Sequence, residues 1–170
     1  MIDIGCNLTH RRFRADLAEV IHRAQEASVD RMVVTGLSED VSRRAEALAA
    51  SRPETLRCTA GIHPHNARTA SREAADVLGR LAARPVVRAV GECGLDYDRD
   101  FSPRDVQRRV FELQLELAAE VRAGGLRAQD VLEARMIADP LTMLMCAQVN
   151  DGGAAMILTT LERSARAAPN

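Results

Sequence analysis

Short apolar runs alternate with helical patterns along the first 120 residues. Met1 to Cys6 reads as a strand. Phe13, Leu17, Val20, Ile21 and Ala24 then recur at helical spacing. Arg31 to Thr35 (RMVVT) predicts a second strand, and Asp40 to Ala50 a helix with Val41, Ala45 and Leu48 on one side. Leu56 to Ile62 is a third strand and Arg72 to Ala83 a third helix. Pro85 to Val90 leads a fourth strand that runs into Gly91-Glu92-Cys93-Gly94. Val106, Val110, Leu113 and Leu117 mark a fourth helix, with Ser102 as N-cap and Pro103 at the first helical position.

Four strand–helix units in this order predict an α/β fold with parallel pairing and helices packed outside the sheet. In such sheets chemistry gathers at the C-terminal ends of strands. The unusual polar residues fall there: Asn7 after the first strand, His63 and His65 after the third, Glu92 and Asp96 after the fourth. The pattern breaks near Val121, where Gly124 and Gly125 interrupt the helix. Beyond it, Asp130 to Ile137 looks helical and Leu141 to Cys146 is apolar. Ala154 to Thr159 fits a strand and Leu161 to Ala168 a last helix. The tail is therefore mixed α/β and not a fifth unit of the same kind.

Composition bounds the function. The chain has 170 residues, 46% hydrophobic and 28% charged, as in a globular domain with a real core. Aromatics make up 2%, so that core must be aliphatic. The net charge of −1 advertises no broad basic face for duplex DNA. All 23 basic residues are arginine, which fits codon bias or, alternatively, phosphate recognition by guanidinium forks. Cys6, Cys58, Cys93 and Cys146 form no C-x-x-C pair, which excludes zinc-ribbon and thioredoxin readings and suggests buried, reduced thiols. The start lacks the marks of a secretion signal, and no apolar run has the length of a membrane span. A cytoplasmic protein without membrane contact is the expectation.

Three segments carry candidate chemistry. In Gly61-Ile62-His63-Pro64-His65 two imidazoles flank a proline that fixes the loop. They could ligate a metal, meet a phosphate, or be loop histidines without a role. In Gly91-Glu92-Cys93-Gly94-Leu95-Asp96-Tyr97 a glutamate directly after an apolar strand needs something positive beside it, for which a divalent cation is one answer. A surface carboxylate at a strand end is the other reading. In Met1 to Thr9, Asp3 sits inside an apolar strand and is weak evidence alone.

MIDIGCNLT, GIHPH and GECGLDYDRDFSP, followed by an amphipathic helix, resemble the first four units of the TatD family. These are metal-dependent hydrolases on an eight-stranded β/α barrel, several of them deoxyribonucleases. The resemblance covers Met1 to about Glu120. It implies four units of an incomplete TIM-like barrel over residues 1–122, and a hydrolase of DNA phosphodiester bonds. It makes Glu92 a metal ligand, with Mg²⁺ as the first choice and Mn²⁺ or Zn²⁺ as alternatives. It makes His63 and His65 partners of the substrate phosphate, with Tyr97 lining the pocket. Single-stranded DNA is the implied partner. Where many relatives carry H-x-H after strand one, this chain has Gly5 and Asn7. The family's other ligands are two histidines and an aspartate on later strands, and no histidine follows His65. Weak or absent activity is therefore expected, and a non-catalytic α/β scaffold or assembly module is the alternative.

The tail, DVLEARMIADPLTMLMCAQVNDGGAAMIL, resembles an internal stretch of the thiolase family of lipid-transfer-protein type, through D-P-L-T and D-G-x-A-A. Gly153 departs from the usual alanine there. The tail has no histidine, and Cys146 is not at the family's nucleophile position, so acyl transfer is a poor reading. The chain thus reads as a composite. Residues 123–170 form a thiolase-like segment, packed on the half barrel or disordered, joined near residues 121 to 126. Open sheet edges predict that the tail covers the sheet or that two chains pair.

Overall fold

The computed structural model describes residues 1–121, together with strands at residues 136–138 and 141–142. Four strands, β1 (Ile2–Cys6), β2 (Arg31–Val34), β3 (Leu56–Ala60) and β4 (Val87–Val90), form one sheet in the order β1-β2-β3-β4. Every neighbouring pair is parallel. Between and after them run α1 (Leu17–Glu26), α2 (Glu39–Ser51), α3 (Ala74–Ala82) and α4 (Arg104–Val121). This is the parallel α/β sheet that the alternation predicts, and it fits the incomplete β/α barrel that the resemblance implies.

β2 and β3 alternate in burial because successive side chains point to opposite faces. Met32 and Val34 of β2, Leu56, Cys58 and Ala60 of β3, and Val87 and Val90 of β4 enter one cluster. Ala45 and Ala49 of α2, Val77, Leu78 and Leu81 of α3, and Val110 and Leu117 of α4 complete it. Leu56, Ile62 and Leu78 are fully buried, each worth about 1.5–3 kcal/mol of transfer free energy. On the edge strand β1, Ile2 and Ile4 remain 58% and 55% exposed.

Local chemistry explains the helix starts. Ser38 caps α2 by accepting from the Val41 amide at 3.2 Å, and Glu39 and Asp40 place negative charge in its first turn. Phe13 lies in a 3-10 turn (Arg11–Phe13), so the first helix starts later than the periodicity predicts. Ser102 corrects another expectation. It does not cap α4, which begins at Arg104 with the Pro103 carbonyl accepting from Gln107 N–H at 2.9 Å.

The remaining correction lies in the tail. Met136 and Ile137, expected at the end of a helix, belong to β5 (Met136–Ala138), which pairs antiparallel with β6 (Leu141–Thr142). Eight residues are too few for apolar spacing to separate helix from strand, and antiparallel partners two residues apart supply ladder bonds locally. The expected strand at Ala154 to Thr159, the helix at Leu161 to Ala168 and Cys146 lie outside the described residues, as does most of the 123–170 segment.

Candidate functional site

The C-terminal ends of β2, β3 and β4 are drawn together by backbone contacts that exclude side chains. A Cβ on Gly61 would lie 2.4 to 2.6 Å from the C, Cα and O atoms of Gly91. A Cβ on Gly36 would lie 2.5 Å from Ser42 Oγ and 2.6 Å from Thr59 O. The Gly91 amide donates to Ala60 O and the Glu92 amide to Gly36 O, each at 2.9 Å, across a cis Gly91–Glu92 peptide. Ser42, fully buried on α2, donates its hydroxyl to Gly61 O and accepts from Gly61 N, both at 3.1 Å. Tight strand ends thus aim the following residues, His63 and Glu92, at one another.

His63 precedes a 3-10 helix (Pro64–Thr69) and caps it: its Nδ1 accepts from the His65 amide at 3.1 Å. An imidazole nitrogen that accepts carries no proton, so in the neutral ring the proton sits on Nε2. Burial, and then the neighbouring His65, hold the His63 pKa below its usual value, which favours that neutral ring. Its Nε2 lies 3.6 Å from Glu92 Oε1, so that contact is dipolar rather than an ion pair. Burial pushes the Glu92 carboxyl above its usual pKa, and His65 opposes the shift.

His65 Nε2 meets Asp96 Oδ2 at 2.5 Å, and its ring stands edge-on to His63 at 4.3 Å and to Phe101 at 4.7 Å between centroids. Asp96 also accepts from the Arg99 amide and from the Arg99 guanidinium, each at 3.0 Å. The Arg99 amide first, then His65 and the guanidinium, hold its carboxyl well below the usual range. Asp96, expected near the site from its place after β4, belongs to it, and so does Arg99, which the sequence did not single out. Tyr97 follows Asp96, but its ring carries the Arg104 guanidinium, 5.0 Å from the centroid.

Both loops are held from behind by α4. Gln114 accepts from Ile62 N at 2.7 Å and donates to Ile62 O and Val110 O at 3.1 Å. Gln107 accepts from Asp96 N at 2.8 Å and donates to Asp96 O at 3.1 Å and Ser102 O at 2.6 Å. Ser102 donates to His65 O and accepts from Arg68 N, both at 3.1 Å, which occupies the hydroxyl expected to cap α4.

The other flagged residues lie elsewhere or are inert. Asp3 accepts from the Gly5 amide at 3.0 Å and is exposed, and exposed Asn7 accepts from Thr9 Oγ1 at 3.3 Å. Burial raises the thiols of Cys6, Cys58 and Cys93 to about 12, as expected of packing residues. Among the described residues no group of three or more His, Cys, Asp or Glu side chains is placed to hold a metal ion. Glu92 offers one carboxylate, and the proton on His63 Nε2 denies that nitrogen a lone pair for ligation. These residues do not make a complete divalent-cation site, which needs several convergent donors. No described helix is long and apolar enough to cross a membrane.

Comparison with known proteins agrees with this architecture. The family model for TatD related DNases matches residues 2–123. The 3′-5′ ssDNA/RNA exonuclease TatD of Pantoea vagans is 46% identical over 121 residues, covering 71% of this chain and 46% of that protein. Its counterpart from Erwinia tasmaniensis is 47% identical over 121 residues, covering 71% and 47%. A TatD homologue from Escherichia coli K12 superposes with a TM-score of 0.65 at 28% identity, covering 71% of this chain and 47% of that one. A TatD family hydrolase from Entamoeba histolytica gives 0.65 at 25% identity, covering 71% and 46%. The chain spans about half the length of the curated relatives it matches. Since the matched segment stops at residue 123, these relatives lend no support to a thiolase-like reading of 130–158. With a family model matched over residues 2–123 and solved TatD structures of similar fold, the chain belongs to the TatD-related DNase family.

Proposed function

We propose that this chain is a TatD-type phosphodiester hydrolase acting on single-stranded nucleic acid, and that its described residues supply the phosphate-binding part of the site. The observation that carries the reading is the His63 ring. With Nδ1 accepting from the His65 amide, it presents an Nε2–H donor at the mouth of a parallel sheet, where an anionic oxygen can be met. His65, fixed by Asp96, stands beside it, and Arg99 adds positive charge. Tyr97, with Arg104 stacked on its ring, would line the rim. The named substrate of the curated relatives, single-stranded DNA or RNA, is of the matching chemistry.

Glu92 would contribute one carboxylate to a divalent cation, Mg²⁺ or else Mn²⁺ or Zn²⁺, which polarises phosphate and activates water when bound. Its remaining donors are not among the described residues, so weak or absent cleavage is expected. That same shortage favours one alternative, a non-catalytic α/β scaffold. Three measurements on the full chain separate these readings. Calorimetric titration with Mg²⁺ and Mn²⁺ asks whether a cation binds, and binding to the folded state must raise the melting temperature. Affinity for a 5′-phosphorylated oligothymidylate should fall in His63→Ala and His65→Ala. Metal-dependent cleavage of single-stranded DNA should fall in Glu92→Ala, and equal rates there would remove Glu92 from the site. No heat, no thermal shift and no oligonucleotide binding would leave the scaffold.

A further inference from the structure

Two glutamines sit where the helical period of α4 calls for apolar residues. Gln107, Val110, Phe111, Gln114, Leu115, Leu117 and Ala118 form the buried face, and both glutamines are 1% exposed. Seven residues is two helical turns, so the pair shares one side of the helix about 10 Å apart. A buried primary amide is unfavourable unless its donors and its acceptor are all met. Here each is met by backbone, that of a loop apart from the Gln114 bond to Val110 O within α4, and no buried side-chain nitrogen or oxygen among the described residues lacks a partner.

The loops so held carry the histidine array. Gln114 grips both the N–H and the C=O of Ile62, the residue before His63. Gln107 grips both the N–H and the C=O of Asp96, whose carboxylate holds His65. We infer that Gln114 and Gln107 are positioning residues for the phosphate-facing histidines. Gln114 sets His63 through the Ile62 peptide, and Gln107 sets His65 through Asp96. The inference rests on the reading of His63 and His65 as phosphate partners, yet its direct consequence concerns the rings themselves.

Peptide-matched amides suit this task. An amide side chain meeting the N–H and C=O of one residue restrains both peptide planes that flank that residue. A hydroxyl, such as Ser42 on Gly61, meets the same two groups through one atom and leaves the flanking peptides freer to turn. Rotation of the Ile62–His63 peptide, whose oxygen Gln114 holds, would swing His63 away from the His65 amide, freeing Nδ1 to take the proton. Release of Asp96 would withdraw the acceptor from His65 Nε2.

The test uses the full chain labelled with ¹⁵N-histidine. Gln114→Met and Gln107→Met keep the length of the side chain and remove its amide, while Val77→Ala in α3 serves as a destabilised control remote from the loops. In the wild type, the imidazole nitrogen spectrum should show His63 as the Nε2–H tautomer, and the Ile62 and Asp96 amides should be protected from exchange. Gln114→Met should mix the His63 tautomers and leave His65 unchanged. Gln107→Met should move His65 and leave His63 unchanged. Each should weaken oligothymidylate binding about tenfold, the loss of one good polar contact. Val77→Ala should do neither.

Wild-type imidazole spectra in both glutamine variants would overturn the inference, as would a matching change in Val77→Ala or rapid exchange of the Ile62 and Asp96 amides in the wild type. Should the Met variants lose the cooperative fold, Gln107→Glu and Gln114→Glu keep the acceptor oxygen and replace them. Loss of the fold in all four would make the glutamines structural alone and overturn it too. Failure of the wild type to bind oligonucleotide would count against the proposed function, while the imidazole spectra still decide the positioning role.

Discussion

Glycine-to-alanine changes at positions 61 and 5 should have opposite consequences, and the difference can be worked from the structure. At Gly61 the added methyl would lie 2.4 Å from Gly91 C, 2.5 Å from its Cα and 2.6 Å from its O. All three are backbone atoms and cannot rotate aside. Ordinary carbon contacts lie near 3.5–4.0 Å, so the two strand ends must part by about 1 Å or more. Parting stretches the Gly91 N–H to Ala60 O bond and loosens Gly61 from Ser42. Overpacking of this kind costs about 1–3 kcal/mol. Two or three weakened buried hydrogen bonds add about 1 kcal/mol each. Gly61→Ala should therefore cost about 3–6 kcal/mol, a large share of a typical domain's 5–15 kcal/mol.

Gly5 is the control. Nothing lies within 4 Å of a Cβ placed there, and the residue is exposed on β1. Alanine in a strand loses less backbone entropy than glycine, so Gly5→Ala should be neutral or stabilising by about 0.5 kcal/mol. Urea unfolding followed by far-ultraviolet circular dichroism measures both, with an unchanged slope required for the comparison. If the two variants fall within about 1 kcal/mol of each other, the close approach of Gly61 and Gly91 is not a feature of the folded protein in solution.

Two further outcomes test separate parts of the structure. Asp96→Asn should cost about 1–2 kcal/mol at neutral pH, through charge-assisted bonds lost to Arg99 and His65. Because the folded Asp96 carboxyl lies below its ordinary value of 3.8, its contribution is complete above that value and is lost as the pH falls through the folded pKa. The gap in melting temperature between wild type and variant should thus be constant near neutrality and shrink below about pH 4, and a gap that widens in acid refutes the assignment. The face of β1 that leaves Ile2 and Ile4 more than half exposed should be covered in solution, by residues beyond Val121 or by a second copy. Light scattering would then find a dimer, or limited proteolysis a resistant tail; a non-aggregating monomer trimmed at once near Val121 refutes both.

The fold was legible because strands and helices carry different periods. β3 alternates Leu56, Cys58 and Ala60 inward against Arg57 and Thr59, and α3 places Ala74, Val77, Leu78 and Leu81 inside. Element ends shifted where a side chain had a competing partner. Ser102 reads as an N-cap from its place before Pro103, yet its hydroxyl serves His65 and Arg68. His63, His65 and Glu92 were legible as candidates because polar residues after apolar strands stand out, and the structure brings all three together. Tyr97 came from the family resemblance, and its ring carries the Arg104 guanidinium. Gln107 and Gln114 went unread because glutamine on a helix is commonly solvated. The available signal was their phase: they share the stripe of Val110, Phe111 and Leu117.

Binding and bond cleavage need not stand or fall together in this chain. The parts that would face a phosphate are local to β3, β4 and α4: His63 is set by His65 and Ile62, and His65 by Asp96. Each depends on short-range hydrogen bonds closed within residues 36–114, so the array can form wherever this sheet folds. A cation site is different, because its donors must converge, and the described residues bring no three His, Cys, Asp or Glu side chains together to hold one. A fold of this kind can therefore retain recognition of a nucleic-acid phosphate while its rate of hydrolysis varies with what other segments supply. Should Glu92→Ala abolish oligonucleotide binding in metal-free buffer, that separation fails, because the carboxylate would then be part of recognition itself.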